Sequence, residues 1–101
     1  MELVFVRHGE PDWGGAGADR TSAPLTDRGR TQADHIAQRI FDEFTPLSEI
    51  KASTALRAQE TAQPIPDLVN LPIDSFDGLG ELGLPRRDVL NRTKVRYTVY
   101  K

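Results

Sequence analysis

Arg7-His8-Gly9-Glu10 stands directly after a short apolar run, Leu3–Val6. Neutral imidazole attacks phosphorus well near neutral pH, so a histidine in this place is a candidate nucleophile. The adjacent guanidinium of Arg7 can hold phosphate oxygens through two parallel hydrogen bonds. Gly9 lets the backbone approach a bound group closely. The same residues also suit a charged surface turn, and four residues alone do not separate the two readings. Arg57 is a second candidate, in the first turn of a helix expected after another strand end. Free N–H groups at a helix start favour anions, and a guanidinium adds a full charge beside them. Its plainer reading is a solvated helix arginine. Glu81 lies in the glycine-rich stretch Asp77–Arg87, where a carboxyl kept dry could protonate a leaving oxygen. A solvated loop glutamate is the plainer reading there. His35 has Thr31, Gln38 and Asp42 as its helical neighbours, which places it on a polar face without a catalytic role. Two distant histidines and no cysteine offer no metal-ligand spacing.

Those residues need elements that bring them together. Leu3–Val6 is rich in β-branched and aromatic residues and reads as a buried, central strand. Glu10–Pro24 is a loop by its glycine, proline, aspartate and serine content. Thr26 caps a helix whose apolar stripe is Ala33, Ile36, Ala37, Ile40, Phe41 and Phe44, and Pro46 ends it. Glu49–Ala52 reads as a second strand. Ser53 or Thr54 caps a second helix running to Gln63, broken by Pro64 and Pro66. Leu71–Phe76 reads as a third strand. Strand, helix, strand, helix, strand is the order of an α/β domain with a parallel sheet. In such sheets ligands bind beyond the carboxyl ends of the strands, where Arg7 and His8 would lie. Val95, Tyr97 and Val99 alternate with polar or mixed residues, as in an edge strand, and a basic, apolar tail equally suits a frayed end or a remnant of something cut short.

The chain has 101 residues, 38% of them hydrophobic and 28% charged, which suits one soluble globular domain. Its net charge of −2 gives no push toward nucleic acid. The opening apolar run is too short for a signal-peptide core or a membrane span. The absence of cysteine removes thiolate catalysis and disulfides and is compatible with a cytoplasmic protein.

Four segments in order resemble the histidine phosphatase superfamily, which includes the phosphoglycerate mutase-like enzymes. Leu3-Val4-Phe5-Val6-Arg7-His8-Gly9-Glu10 is similar to the family's strand and signature. Pro24-Leu25-Thr26-Asp27-Arg28-Gly29-Arg30-Thr31-Gln32-Ala33 resembles its helix start. Ala52-Ser53-Thr54-Ala55-Leu56-Arg57-Ala58-Gln59-Glu60-Thr61-Ala62 resembles its second arginine segment, and Leu79-Gly80-Glu81-Leu82 the loop with its acid. The resemblance implies a three-layer α/β/α sandwich with a mostly parallel sheet, incomplete as given. It covers residues 1–85, and residues 86–101 form an unmatched tail. His8 would carry the phosphoryl group, Arg7 and Arg57 would clamp it with Gly9 beside them, and Glu81 would be the proton donor. No metal and no cofactor is implied. The ligand would be a small phosphorylated substrate or inorganic phosphate.

The chain departs from the family's pattern in two ways. No histidine follows His35, whereas the family carries a second catalytic histidine on a later strand. Trp13-Gly14 stands where mutase-like members read Trp-Asn. A phosphatase is therefore expected before a mutase. The alternative is an inactive fragment or pseudoenzyme that keeps a phosphate-binding half-site. An open side of the first strand would be filled by Thr93–Tyr100 or by a second copy in a homodimer.

Overall fold

β-branched and aromatic residues favour a strand that can be covered, and Glu2–Val6 forms the first strand, β1. The computed structural model describes residues 2–17, 19–77 and 96–100, with side-chain surroundings for 3–17 and 19–77. A long loop with two short 3-10 turns, Trp13–Gly15 and Arg20–Ser22, leads from β1 to the helix α1, Asp27–Phe44. The Thr26 hydroxyl accepts the Gly29 N–H at 3.0 Å, the N-cap expected from the sequence. Ala33, Ala37 and Ile40 are buried, with Ile36 and Phe44 packed against the core. Phe41 corrects the expected stripe, because it sits on the stripe's flank and is 39% exposed.

Strand β2, Glu49–Ser53, is followed by α2, Leu56–Ala62. The cap expected at Ser53 or Thr54 is displaced to Ala55, which makes no side-chain cap bond. Pro64 breaks α2 as expected. It opens a separate helix, α3, Pro64–Val69, since proline lacks only an N–H that the first turn leaves unused. Asn70, with φ 58°, ends α3 in the left-handed conformation. Strand β3 is Ile73–Phe76, and Arg96–Tyr100 forms β4.

All the pairings are parallel, in the order β1-β4-β2-β3. The expectation of a central β1 is thereby corrected. β4 enters between β1 and β2, which leaves β1 at the edge of the described sheet. Val6 pairs in register with Tyr100, Tyr100 with Ala52, and Ser53 with Phe76. The carboxyl ends of the strands therefore form one rim. Below it, Val6, Ile50 and Ala52 from the sheet meet Ala37 and Ile40 of α1, Ala62 of α2 and Ile65 of α3. The described helices thus share one face of the sheet, and the third layer of the expected sandwich lies outside the described residues.

Lys51 of β2 is 5% exposed, on the sheet face opposite Ile50 and Ala52. Its Nζ lies 2.7 Å from Asp74 Oδ2, on its register partner in β3, and 3.3 Å from Glu49 Oε2. Burial alone would lower the Lys51 pKa. The hydrogen bonds and charges of Asp74 and Glu49 outweigh it and hold the pKa above the ordinary lysine value. The ion pairs stabilise the fold fully below that ordinary value, and the contribution is lost as pH climbs through the raised one. Removing both carboxylates, Glu49→Ala with Asp74→Ala, leaves a buried uncompensated cation and should cost about 3–5 kcal/mol. Lys51→Met keeps the packed stem and frees two carboxylates that reach water, so it should cost less than about 1.5 kcal/mol. Urea denaturation of the two variants in the opposite order would disprove this account of Lys51.

Candidate active site at the carboxyl rim of the sheet

β1 ends at Val6, so Arg7 and His8 emerge at the rim. Arg7 is exposed and His8 half-buried. With Phe5, Val6 and Arg57 they line one cleft of about 550 Å³. His8 Nδ1 lies 2.8 Å from the Gly9 carbonyl oxygen. A carbonyl only accepts, so Nδ1 carries the hydrogen and donates. In the neutral ring that leaves the Nε2 lone pair available to attack.

Two glycines set the loop that holds His8. A Cβ on Gly9 would come within 2.6 Å of the Gly29 carbonyl oxygen, and one on Gly29 would collide with the Glu10 carbonyl oxygen. The close approach at Gly9 is thus made to the first turn of α1, a reason for glycine that is independent of any ligand. Glu10 locks the same junction. Its N–H donates to Gln32 Oε1 at 2.9 Å, its carbonyl accepts from Thr26 N–H at 3.0 Å, and its carboxylate accepts from the Thr26 hydroxyl at 2.8 Å.

Helix α2 ties the rim together through three successive residues. The Gln59 amide donates to the Ser53 carbonyl at 2.7 Å and to Ser75 Oγ at 3.0 Å. Glu60 Oε1 accepts the Leu25 N–H at 2.7 Å, while its other oxygen lies 3.6 Å from Arg30. Thr61, fully buried, accepts the Gly9 N–H at 2.9 Å and donates to the Arg57 carbonyl at 2.6 Å. One hydroxyl therefore joins the His8 loop to the turn that carries Arg57. The sequence reading missed Thr61. Its signal was a hydroxyl one helical turn after Arg57, in a helix otherwise buried through alanines. Thr61→Val keeps the shape but orphans the buried Gly9 N–H, and should cost about 1–3 kcal/mol. It should also shift the Gly9 amide resonance upfield, and Thr61→Ser should restore both. A serine variant whose Gly9 amide stays shifted would remove this role.

Arg57 is half-buried, and its Nη1 donates to the Arg20 carbonyl at 3.2 Å. Its guanidinium carbon lies 5.3 Å from the centre of the Trp13 ring, and that of Arg20 lies 4.4 Å from it. Trp13 and Arg20 thus reach the site, whereas the sequence reading had linked this loop to it only through the departure at Trp13-Gly14. His35 is exposed on α1, as its polar neighbours implied. Glu81 lies outside the described residues. Among the described residues no three His, Cys, Asp or Glu side chains group as metal ligands.

Known proteins resemble this chain in sequence and in fold. The profile of the histidine phosphatase superfamily (branch 1) matches residues 3–98. The chain is 40% identical over 63 residues to the mitochondrial serine/threonine-protein phosphatase Pgam5 of Drosophila grimshawi, covering 62% of this chain and 21% of that protein. It is 33% identical over 86 residues to the probable phosphoglycerate mutase GpmB of Yersinia pestis, covering 83% of this chain and 39% of that one. The chain therefore spans well under half the length of these relatives. The protein histidine phosphatase SixA complexed with tungstate superposes with a TM-score of 0.77 at 21% identity, covering 98% of this chain and 67% of SixA.

Proposed function

Because the chain belongs to the histidine phosphatase superfamily, we propose that it is a phosphatase-type phosphohydrolase acting on a small phosphorylated metabolite through phosphohistidine at His8. The observation that carries this is the single cleft lined by Arg7, His8 and Arg57, with His8 Nδ1 tied to the Gly9 carbonyl. Nε2 attacks phosphorus, a P–N bond forms and the ester P–O bond breaks. Arg7 and Arg57 oppose the charge on the phosphoryl oxygens, which is most of what phosphoryl transfer asks of a protein. By resemblance, Glu81 gives the leaving oxygen its proton. Water then cleaves the P–N bond and releases phosphate.

A second reading has its own observation. His35 is exposed on α1, and the sequence contains only two histidines, so none of its own joins His8 in the cleft. Loss of one preorganised donor costs about 10²–10³ in rate, so this polypeptide should turn over slowly or only bind phosphate. The test is incubation with ³²P-labelled aryl phosphate. Acid-labile, base-stable label on the protein supports phosphohistidine chemistry. Phosphate binding without label supports the half-site reading, and neither result overturns both.

The ligand is read as a small phosphorylated molecule or inorganic phosphate. Among the described residues no helix is long and apolar enough to cross a membrane. A cytoplasmic setting and self-pairing through the outer edge of β1 are part of the same proposal. Sedimentation velocity measures the second.

A further inference from the structure

Six arginines have described side-chain surroundings. Arg28 pairs with Glu10, Arg30 with Asp27 and Glu60, and Arg39 with Glu43. Arg7, Arg20 and Arg57 have no carboxylate partner among the described residues. These three are not scattered. Arg7 and Arg57 line the His8 cleft, and Arg20 is joined to Arg57 twice, through its carbonyl and through the shared Trp13 ring.

The loop is built to keep Arg20 there. Asp19, its immediate neighbour, accepts from the Thr21 N–H at 2.9 Å and from the Thr21 hydroxyl at 2.7 Å. Those bonds hold the Asp19 carboxyl below the ordinary aspartate range. The nearest acid in the chain is thus committed to Thr21 and not to the guanidinium beside it. The Ser22 hydroxyl closes the turn against the Ala16 and Asp19 carbonyls, each at 2.6 Å. Two guanidiniums over one indole repel each other. The electron-rich ring offsets part of that repulsion, and an anion would offset the rest. A flat leaving group would find the indole already engaged by both cations.

We propose that Arg20, braced by Trp13, is a second anion subsite beside the phosphoryl cleft, so that the favoured substrate is a small phosphomonoester carrying a second acidic group. This rests on the reading of His8, Arg7 and Arg57 as the phosphoryl site. Arg57 faces both subsites and Arg20 only the outer one.

Trp13 is the only tryptophan in the chain, so its fluorescence reports on this place directly. The experiment titrates inorganic phosphate, propylphosphonate and 3-phosphonopropionate into the full chain by fluorescence, with calorimetry as the second measurement. The two phosphonates differ chiefly by the carboxylate of the latter. One added charge-assisted contact should make 3-phosphonopropionate bind about tenfold tighter than propylphosphonate. Arg20→Gln, at an exposed position, should erase that preference by weakening 3-phosphonopropionate more than propylphosphonate. Arg57→Gln should weaken all three ligands. Equal binding of the two phosphonates by the unaltered chain overturns the subsite, as does a preference that survives Arg20→Gln. Phosphate binding indifferent to Arg57→Gln overturns the phosphoryl site instead. Absence of any binding overturns both.

Discussion

His8→Ala should abolish phosphoryl transfer to the protein, a loss of about 10⁴–10⁶ in rate if it behaves as removal of a covalent nucleophile does elsewhere. The size follows from what remains. Arg7 and Arg57 can still bind phosphate, but nothing in the cleft replaces an imidazole whose Nδ1 is already committed to the Gly9 carbonyl. Phosphate affinity should therefore survive in the variant while covalent label disappears. His35→Ala, on the exposed face of α1, should leave label and turnover unchanged. Rapid-quench measurement of protein-bound ³²P in the two variants decides the matter. Label lost with His35 and kept without His8 would transfer the chemistry away from the rim altogether.

Among the single substitutions, Gly29→Ala should have the largest effect on stability. In an ordinary helix the change would gain about 1 kcal/mol, because alanine is the better helix former. Here the added carbon collides with the Glu10 carbonyl oxygen and lies 3.1 Å from Leu25 Cβ. The first obstacle is backbone, so no side chain can swing aside. The loop after β1 must move off α1 or the helix must start later. Either move breaks the bonds that Glu10 makes to Thr26 and Gln32. A net loss of about 3–5 kcal/mol is expected, a large part of what a small domain has. Gly9→Ala faces the same junction from the other side. Thermal and urea denaturation measure both, and a Gly29→Ala variant as stable as the parent would show that the two backbones are not in contact.

How much of this was legible in the sequence depended on whether the cause was local. The α1 stripe and the Thr26 cap are repeated, short-range signals, and they placed the helix well. The convergence of Arg7, His8 and Arg57 on one cleft was legible only through motif order, since nothing local says that two distant strand ends share a rim. Pro64 ends α2 as read, but the short helix it opens was missed, because proline forbids a helix interior and suits a first turn, and nothing local announces the new start. The edge position of β1 was hidden because strand order is a property of the sheet. Nothing in the sequence marked Lys51 as buried and ion-paired, because its register partner Asp74 is set by the sheet. Trp13 was noted only for the glycine beside it and Arg20 only as part of a loop, and a contact with Arg57, 37 residues after Arg20, leaves no periodic trace.

The position of β4 also bears on how the protein is made. β1 and β2 do not touch each other in the sheet, because residues 96–100 pair with both. A growing chain that has emerged from the ribosome only as far as β3 therefore lacks the strand that fills the slot between β1 and β2, which in the finished sheet stand about two inter-strand spacings apart, roughly 10 Å. Such a sheet has high contact order, since its first and last described strands must meet before the slot closes. During synthesis the nascent protein thus carries two extra unpaired strand edges next to His8, open to any extended segment that reaches them first. Until residue 100 arrives, the rim that aligns the phosphoryl site exists only in halves.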